Sequence, residues 1–339
     1  GNLDSPKAIY ESLRKTVIGM DPVVRRFSVQ MAMHLKRVAI MATGVRPTTP
    51  PVCCRLIGPS GSGKTFLAEE FGRISNLPFC VGDMSTVTSS AYVGNSADEL
   101  FLGFAKKGIT LSDVQRGVLF LDELDKKRTN HRGGDHDATG LGVQYEILKF
   151  LEGARIQVGG KRSNENSKGF IETFSMAFIL GGAFSSISEA LAEKKTEARG
   201  PIGFSGGSDA VGVAPNVREL LLDYFIPELV NRIGSVIVVP IPTQSQLIEI
   251  ASAPTGIIAR QNQFLSSFGL QISPSQDAIK ALAAWALETK TFARGMRCLI
   301  MQTLVEEAIF EARTGTLEVS DADVRRAIEG LRQEPEGLA

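Results

Sequence analysis

The chain reads as an α/β protein, a parallel sheet covered by helices followed by a smaller, mostly helical α+β domain. Three observations lead there. Short unbroken apolar runs recur at Val118–Leu121, Ala177–Leu180 and Val236–Val239, with helical stretches between them. Strands buried on both faces of a parallel sheet have this look, because neither face is left to carry polar residues. Gly58-Pro59-Ser60-Gly61-Ser62-Gly63-Lys64-Thr65 fits the GxxxxGK[ST] pattern and stands directly between an apolar strand and a helix. Composition then shifts around Pro240-Ile241-Pro242. We place the domain boundary there, with a first domain over residues 1–242 and a second over 243–339.

Residues 5–43 carry apolar positions such as Val23, Val24, Phe27, Met31 and Leu35 at three- and four-residue spacing, which predicts helix. Asp21-Pro22 supplies an N-cap and a proline at the first helical position. The proline-bearing loop Arg46–Pro51 leads into a strand over Val52–Ile57, and a helix follows the glycine loop from Lys64 to about Ile74. Residues 128–140 and 198–213 are rich in glycine and polar side chains and read as loops. Beyond the boundary the pattern predicts a helix over Gln244–Ala251, a longer helical stretch and a strand over Leu270–Ile272. Helices near Ser275–Glu288 and Gly295–Arg313, a strand over Leu317–Val319 and a final helix from Asp321, capped by Ser320, complete it. No internal repeat is evident.

Bulk properties narrow the function classes. A chain of 339 residues can bury one large core or two smaller ones. Lys+Arg and Asp+Glu stand at 37 each, so the formal net charge is zero and no global field draws nucleic acid or an anionic membrane. The four cysteines, Cys53, Cys54, Cys80 and Cys298, form no CxxC pair and read as buried reduced thiols. No apolar run reaches 18 residues, so no membrane-spanning helix is expected. The opening Gly1-Asn2-Leu3-Asp4-Ser5 lacks the basic and apolar regions of a signal peptide and reads as a cut end, which leaves the cytoplasm as the expected compartment.

The chemistry concentrates in two motifs. In the glycine loop, backbone N–H groups can turn inward around phosphates while the following helix N-terminus adds partial positive charge. Lys64 would bridge the β and γ phosphates of ATP, and Thr65 would coordinate Mg²⁺. Val118-Leu119-Phe120-Leu121-Asp122-Glu123 is an apolar strand ending in two carboxylates. Lying beside the phosphate-loop strand, it would bring Asp122 to the Mg²⁺ shell and leave Glu123 to polarise the attacking water. Alone, an Asp-Glu pair at a strand end can equally cap a helix; downstream of a phosphate loop we read it as catalytic. His131 and His136, beside Asp135 and Asp137, lack a third fixed ligand for a metal site.

Over nearly its whole length the sequence resembles the ClpX family of AAA+ protein unfoldases. Val17-Ile18-Gly19, the phosphate loop, Ala91-Tyr92-Val93-Gly94 and Phe120-Leu121-Asp122-Glu123-Leu124-Asp125-Lys126 carry the resemblance. Gly181-Gly182-Ala183-Phe184, Ile202-Gly203-Phe204, Phe225–Arg232 and Ala293-Arg294-Gly295-Met296-Arg297 extend it, all in the family's order. The resemblance implies an AAA+ P-loop NTPase large domain and a small sensor domain, assembled as a homo-hexamer that unfolds proteins at the expense of ATP.

It also implies roles. Val17 and Ile18 would pack on the adenine. Arg232 would be an arginine finger reaching the γ-phosphate held by a neighbouring subunit, a task suited to a planar, permanently charged guanidinium. Arg294 would report nucleotide state by moving the small domain. From spacing alone, either arginine could simply form a surface salt bridge. Tyr92 and Val93 would grip unfolded or tagged polypeptide in a central pore, the alternative being a tyrosine packed on its own domain. Residues 128–140 would form a second pore loop, and Ile202-Gly203-Phe204 would dock on a ClpP-type peptidase ring.

The resemblance thins in places. These 339 residues include no counterpart of the family's amino-terminal zinc-binding domain, as expected either of a trimmed chain or of one that recruits substrates differently, and Gly159-Gly160-Lys161-Arg162-Ser163 lacks the histidine of the family's substrate loop. The strand Ala177–Leu180 runs into Gly181-Gly182, so no polar sensor side chain stands at its end. The related HslU unfoldase carries an inserted domain for which the segment from Asp122 to Arg232 leaves no room. Two rival readings stay open, a remodelling chaperone that works without a peptidase and a nucleic-acid motor on the same ATPase core.

Overall fold

The computed structural model describes residues 3–87, 100–127, 138–158, 169–185, 187 and 215–333. The chain divides into two compact units. One comprises residues 1–13, 22–59 and 64–239; the other comprises 14–21, 60–63 and 240–339.

The first unit opens with helices α1 (Pro6–Leu13) and α2 (Asp21–Ala42), then strand β1 (Val52–Ile57), helix α3 (Lys64–Ser75) and strand β2 (Phe79–Asp83). Short helices α4 (Leu102–Lys106) and α5 (Leu111–Val114) precede strand β3 (Val118–Asp122). Helix α6 (Ala138–Glu152), the antiparallel pair β4 (Arg155–Val158) and β5 (Gly169–Glu172), and strand β6 (Ala177–Gly182) follow. Helices α7 (Pro215–Leu222) and α8 (Pro227–Arg232) and strand β7 (Ser235–Val238) close it.

Five strands make a parallel sheet in the order β2-β3-β6-β1-β7. Two of its central strands are sealed in the core: every residue of β6 is buried, as are the first four of β3. This is the α/β core that the apolar runs predict. The order corrects one expectation. The strand bearing Asp122 is not the neighbour of the phosphate-loop strand; β6 runs between them.

Other corrections are local. Residues 5–43, read as helical, form two helices: the chain leaves α1 at Leu13, passes through a left-handed Gly19 (φ +73°) and starts α2 at Asp21, where the sequence places a helix start. Strand β2 and the β4–β5 pair were not expected from the sequence. Within the segment 128–140 read as loop, Ala138-Thr139-Gly140 begins α6, and residues 128–137 lie outside the described residues.

Among the polar side chains buried in this unit are Arg55, His34 and Arg37, which the patterning does not announce. Arg55 of β1 is fully buried against the rings of Phe225 (4.8 Å) and Phe184 (5.4 Å). None of its three guanidinium nitrogens has a hydrogen-bond partner among the described residues, and burial pushes its pKa down to about 9. His34 of α2 is buried, with Nε2 at 3.1 Å from the Arg116 carbonyl, and burial pushes it down to about 4. Arg37 is satisfied: Nε and Nη2 donate to the Phe174 carbonyl and Nη1 donates to Thr49 Oγ1. The thiols of Cys53, Cys54 and Cys80 are buried and unbridged, and desolvation raises the pKa of each, so they stay protonated and inert.

The second unit's carboxy-terminal part contains α9 (Gln244–Ser252), α10 (Ile257–Leu265), strand β8 (Leu270–Pro274) and α11 (Gln276–Glu288). It continues with α12 (Phe292–Leu299), α13 (Glu306–Phe310), strand β9 (Gly315–Val319), which pairs parallel with β8, and α14 (Asp321–Gln333). Caps at Thr243 and Ser275 start α9 and α11, each side chain accepting from the N–H three residues on. The single helix expected near Gly295–Arg313 is instead α12, a π-helical turn over Ile300–Leu304 and α13. Leu247, Leu265, Leu282, Met296, Leu299 and Val324 are among the residues of its own apolar core. No helix among the described residues is long and apolar enough to cross a membrane.

Candidate active site

In the first unit the loop begins where β1 ends. The Gly58 N–H donates to the Gly182 carbonyl at 3.2 Å, which ties the first loop residue to the end of β6. Lys64, at the start of α3, is buried, and its ammonium donates to the carbonyls of Gly58 (2.6 Å) and Pro59 (2.8 Å). Thr65 Oγ1 donates to Asp122 Oδ2 at 2.9 Å. The Glu123 N–H donates to the other carboxylate oxygen, Asp122 Oδ1, also at 2.9 Å.

Asp122 reaches Thr65 past an intervening strand because that strand ends without side chains. A Cβ on Gly181 would lie 2.6 Å from the Phe120 ring and 3.1 Å from Asp122 Oδ1. A Cβ on Gly182 would lie 2.6 Å from Asp125 Oδ1 and would also overlap the Phe184 ring. The two glycines therefore make the room that the carboxylates use.

Glu123 is exposed and adopts a left-handed backbone (φ +56°), a conformation that costs a non-glycine residue about 1–2 kcal/mol. The turn that follows holds it there. Leu124 is fully buried, and the Lys126 N–H donates to the Glu123 carbonyl at 3.0 Å.

In the second unit, Gly61 (φ +78°) and Gly63 (φ +97°) bend the loop. A Cβ on Gly61 would sit 2.8 Å from the Thr291 carbonyl, so the approach to the start of α12 requires glycine. Arg294 Nη1, in the first turn of that helix, donates to Ser60 Oγ at 3.2 Å. Ser62 Oγ is buried and has no hydrogen-bond partner among the described residues. Val17 is buried and Ile18 half-buried, and the neighbouring Gly19 carbonyl accepts from Gln246 Nε2 of α9 at 2.9 Å.

Arg232, the last residue of α8, is exposed, and its Nε and Nη2 point at Glu152 Oε1 (3.4 and 3.3 Å). An exposed pair of that kind contributes at most about 1 kcal/mol and is readily exchanged for a better anion. Sequence reasoning missed the residue that seats this helix. Gln144 is buried in α6; its Oε1 accepts from the Ile226 N–H (2.8 Å) and its Nε2 donates to the carbonyls of Lys127 (2.8 Å) and Tyr224 (3.0 Å). The available signal was a glutamine three and seven residues before Ile147 and Leu151, on the face that points inward.

The arrangement suits a magnesium-bound polyphosphate. Thr65 and Asp122 offer two oxygen ligands of the kind a hard cation takes. The start of α3 adds a buried ammonium at Lys64. Tyr92, Val93, His131, His136, Gly159–Ser163, Ile202, Gly203 and Phe204 lie outside the described residues.

Comparison with known proteins agrees with this chemistry. The family described as AAA domain (Cdc48 subfamily) matches residues 50–236, more than half of the chain. The ATP-dependent Clp protease ATP-binding subunit ClpX 2 of Wolinella succinogenes is 30% identical over 312 residues, covering 90% of this chain and 77% of that protein. ClpX of Treponema denticola is 30% identical over 331 residues (92% and 78%), and ClpX of Borrelia duttonii 31% over 327 residues (91% and 75%).

Proposed function

Since the chain belongs to the ClpX family of AAA+ ATPases, and is itself an ATPase, we propose that it is a Mg²⁺-ATP-dependent protein unfoldase working as a homo-hexamer in the cytoplasm. The observation that carries the site is the 2.9 Å contact between Thr65 Oγ1 and Asp122 Oδ2 beside the left-handed Glu123. It joins the phosphate-loop hydroxyl to the carboxylate of a separate strand, which supports reading the pair as ligands of a cation that accompanies the phosphates.

In this reading residues 1–242 form the large nucleotide domain and residues 243–339 the small sensor domain. The loop residues Gly58, Pro59, Ser60, Gly61, Ser62 and Gly63 present their backbone to the phosphates, and Lys64 exchanges the carbonyls of Gly58 and Pro59 for phosphate oxygens. Thr65 and Asp122 would hold Mg²⁺, which would supply positive charge against that of the phosphates. Glu123 polarises the attacking water. Val17 and Ile18 cover the base, and Arg294 exchanges Ser60 Oγ for the nucleotide and reports its state. Arg232 leaves its weak pairing with Glu152 to stabilise charge on the nucleotide of a neighbouring subunit. Tyr92 and Val93 grip the polypeptide being threaded through the pore, and Ile202-Gly203-Phe204 docks on a ClpP-type peptidase.

Three variants test the reading. Glu123→Gln should retain ATP and lose turnover. Tyr92→Ala should lower unfolding of a tagged fluorescent protein more than it lowers ATP hydrolysis; normal unfolding by this variant would end the threading mechanism. Deleting Ile202–Phe204 should abolish degradation with a cognate peptidase while leaving unfolding intact, and undiminished degradation would point instead to a chaperone that needs no peptidase.

A further inference from the structure

The end of β6 carries no polar side chain, yet it is the strand that separates the phosphate-loop strand from the carboxylate strand. One peptide unit there is bonded on both sides. Its carbonyl, on Gly182, accepts from the Gly58 N–H at 3.2 Å; its N–H, on Ala183, donates to Asp125 Oδ1 at 3.2 Å. Backbone pairing between β3 and β6 ends at Leu121 and Leu180, because the chain leaves β3 into the turn over Leu124–Lys127. On that side a side chain takes over as acceptor. The place it occupies is open only because residue 182 is glycine, whose Cβ would otherwise stand 2.6 Å from Asp125 Oδ1.

We propose that Asp125 is a positioning residue for ATP hydrolysis: through the Gly182–Ala183 peptide it fixes the strained Glu123 turn relative to the first residue of the phosphate loop, in place of a polar side chain at the end of the strand. This rests on the reading of Glu123 as the residue that polarises water. The turn needs such a tether. Glu123 sits at φ +56° and is itself exposed, so packing of its own side chain does not hold it. Asp125 is two residues further on in the same turn, half-buried, with its Oδ1 engaged by the Ala183 N–H.

The test compares steady-state ATP hydrolysis and nucleotide binding for the full chain and its variants. Asp125→Ala removes the acceptor and is expected to lower kcat at least tenfold, with KM for ATP and the affinity for a fluorescent ATP analogue within threefold of the parent. Asp125→Asn keeps an acceptor oxygen and is expected to restore kcat to within threefold. Should the alanine variant fail to fold, Asp125→Val, nearer in volume and equally without an acceptor, takes its place. An acceptor-free variant with undiminished kcat, a change in KM rather than kcat, or an asparagine variant as slow as the alanine one would each overturn the proposal. Glu123→Gln measured in parallel separates the two readings: if it hydrolyses ATP normally, the role of Glu123 fails, whatever Asp125 does.

Discussion

Thr65 Oγ1 donates to Asp122 Oδ2 across 2.9 Å although β6 separates the sheet strands that position the two residues. The contact places a hydroxyl and a carboxylate where they can share a cation. Removing either oxygen takes away one of its ligands and leaves the loop backbone in place. Thr65→Ala should therefore lower Mg²⁺-dependent ATP turnover by about 10²-fold, the scale of losing one preorganised electrostatic group. Steady-state hydrolysis across a Mg²⁺ titration checks this; turnover equal to the parent at low Mg²⁺ would show that Thr65 is no ligand.

Gly181 makes that contact geometrically open. Gly181→Ala places a methyl group 2.6 Å from the Phe120 ring and 3.1 Å from Asp122 Oδ1, all within a packed sheet. Overpacking of this kind costs about 1–3 kcal/mol, and turnover should fall because Asp122 must move. Gly330→Ala is the control. That glycine lies in α14 with nothing within 4 Å of its Cβ position, so alanine there should be neutral or stabilise by up to about 1 kcal/mol. Urea denaturation of both variants decides, and equal stability would contradict the crowding at the end of β6.

His34 makes stability depend on pH in the acid range. Its folded pKa is pushed down to about 4 from an ordinary value of 6.5, mainly by burial, with Arg37 adding to the effect and the bond to the Arg116 carbonyl opposing it. The fold thus favours the neutral ring, while the unfolded chain takes up a proton below 6.5. Stability is full above 6.5 and declines as pH falls from there towards 4, by an amount on the order of 3 kcal/mol. His34→Gln should flatten this part of the profile. Parallel slopes between pH 7 and pH 4.5 for the parent and the variant would exclude His34 as the cause.

Arg55 represents a cost in the core. Among the described residues this fully buried guanidinium has no hydrogen-bond partner; its pKa is pushed down to about 9 by desolvation, and it lies against the faces of Phe184 and Phe225. Replacing it with an unbranched apolar side chain removes the desolvation term and keeps most of the volume. Arg55→Met should stabilise the protein by roughly 1–3 kcal/mol, read as a rise in Tm. A lower Tm would mean that the aromatic contacts outweigh the desolvation.

The parts of the site that follow one another along the chain were legible in the sequence. Gly58–Thr65 could be read because a backbone loop that cradles phosphates needs glycines and a lysine at fixed local spacing, and Asp122-Glu123 because an apolar strand announces its own end. Gln144 and Asp125 were not legible as positioning groups. Their hydrogen bonds run to Ile226, Tyr224 and Ala183, residues 58 to 82 positions away, and nothing local marks such a partner.

The sequence alone determined the α/β class, the strand and helix that flank the glycine loop, and the carboxylate pair, since each depends on periodicity or on neighbours within a few residues. Only the tertiary structure decided that β6 lies between the strands of the two motifs, that Gly181 and Gly182 are needed for their absent side chains, and that an arginine is sealed in the core. Strand order and burial arise from packing between segments remote in the chain, where side-chain volume and desolvation, rather than local backbone preference, select the arrangement.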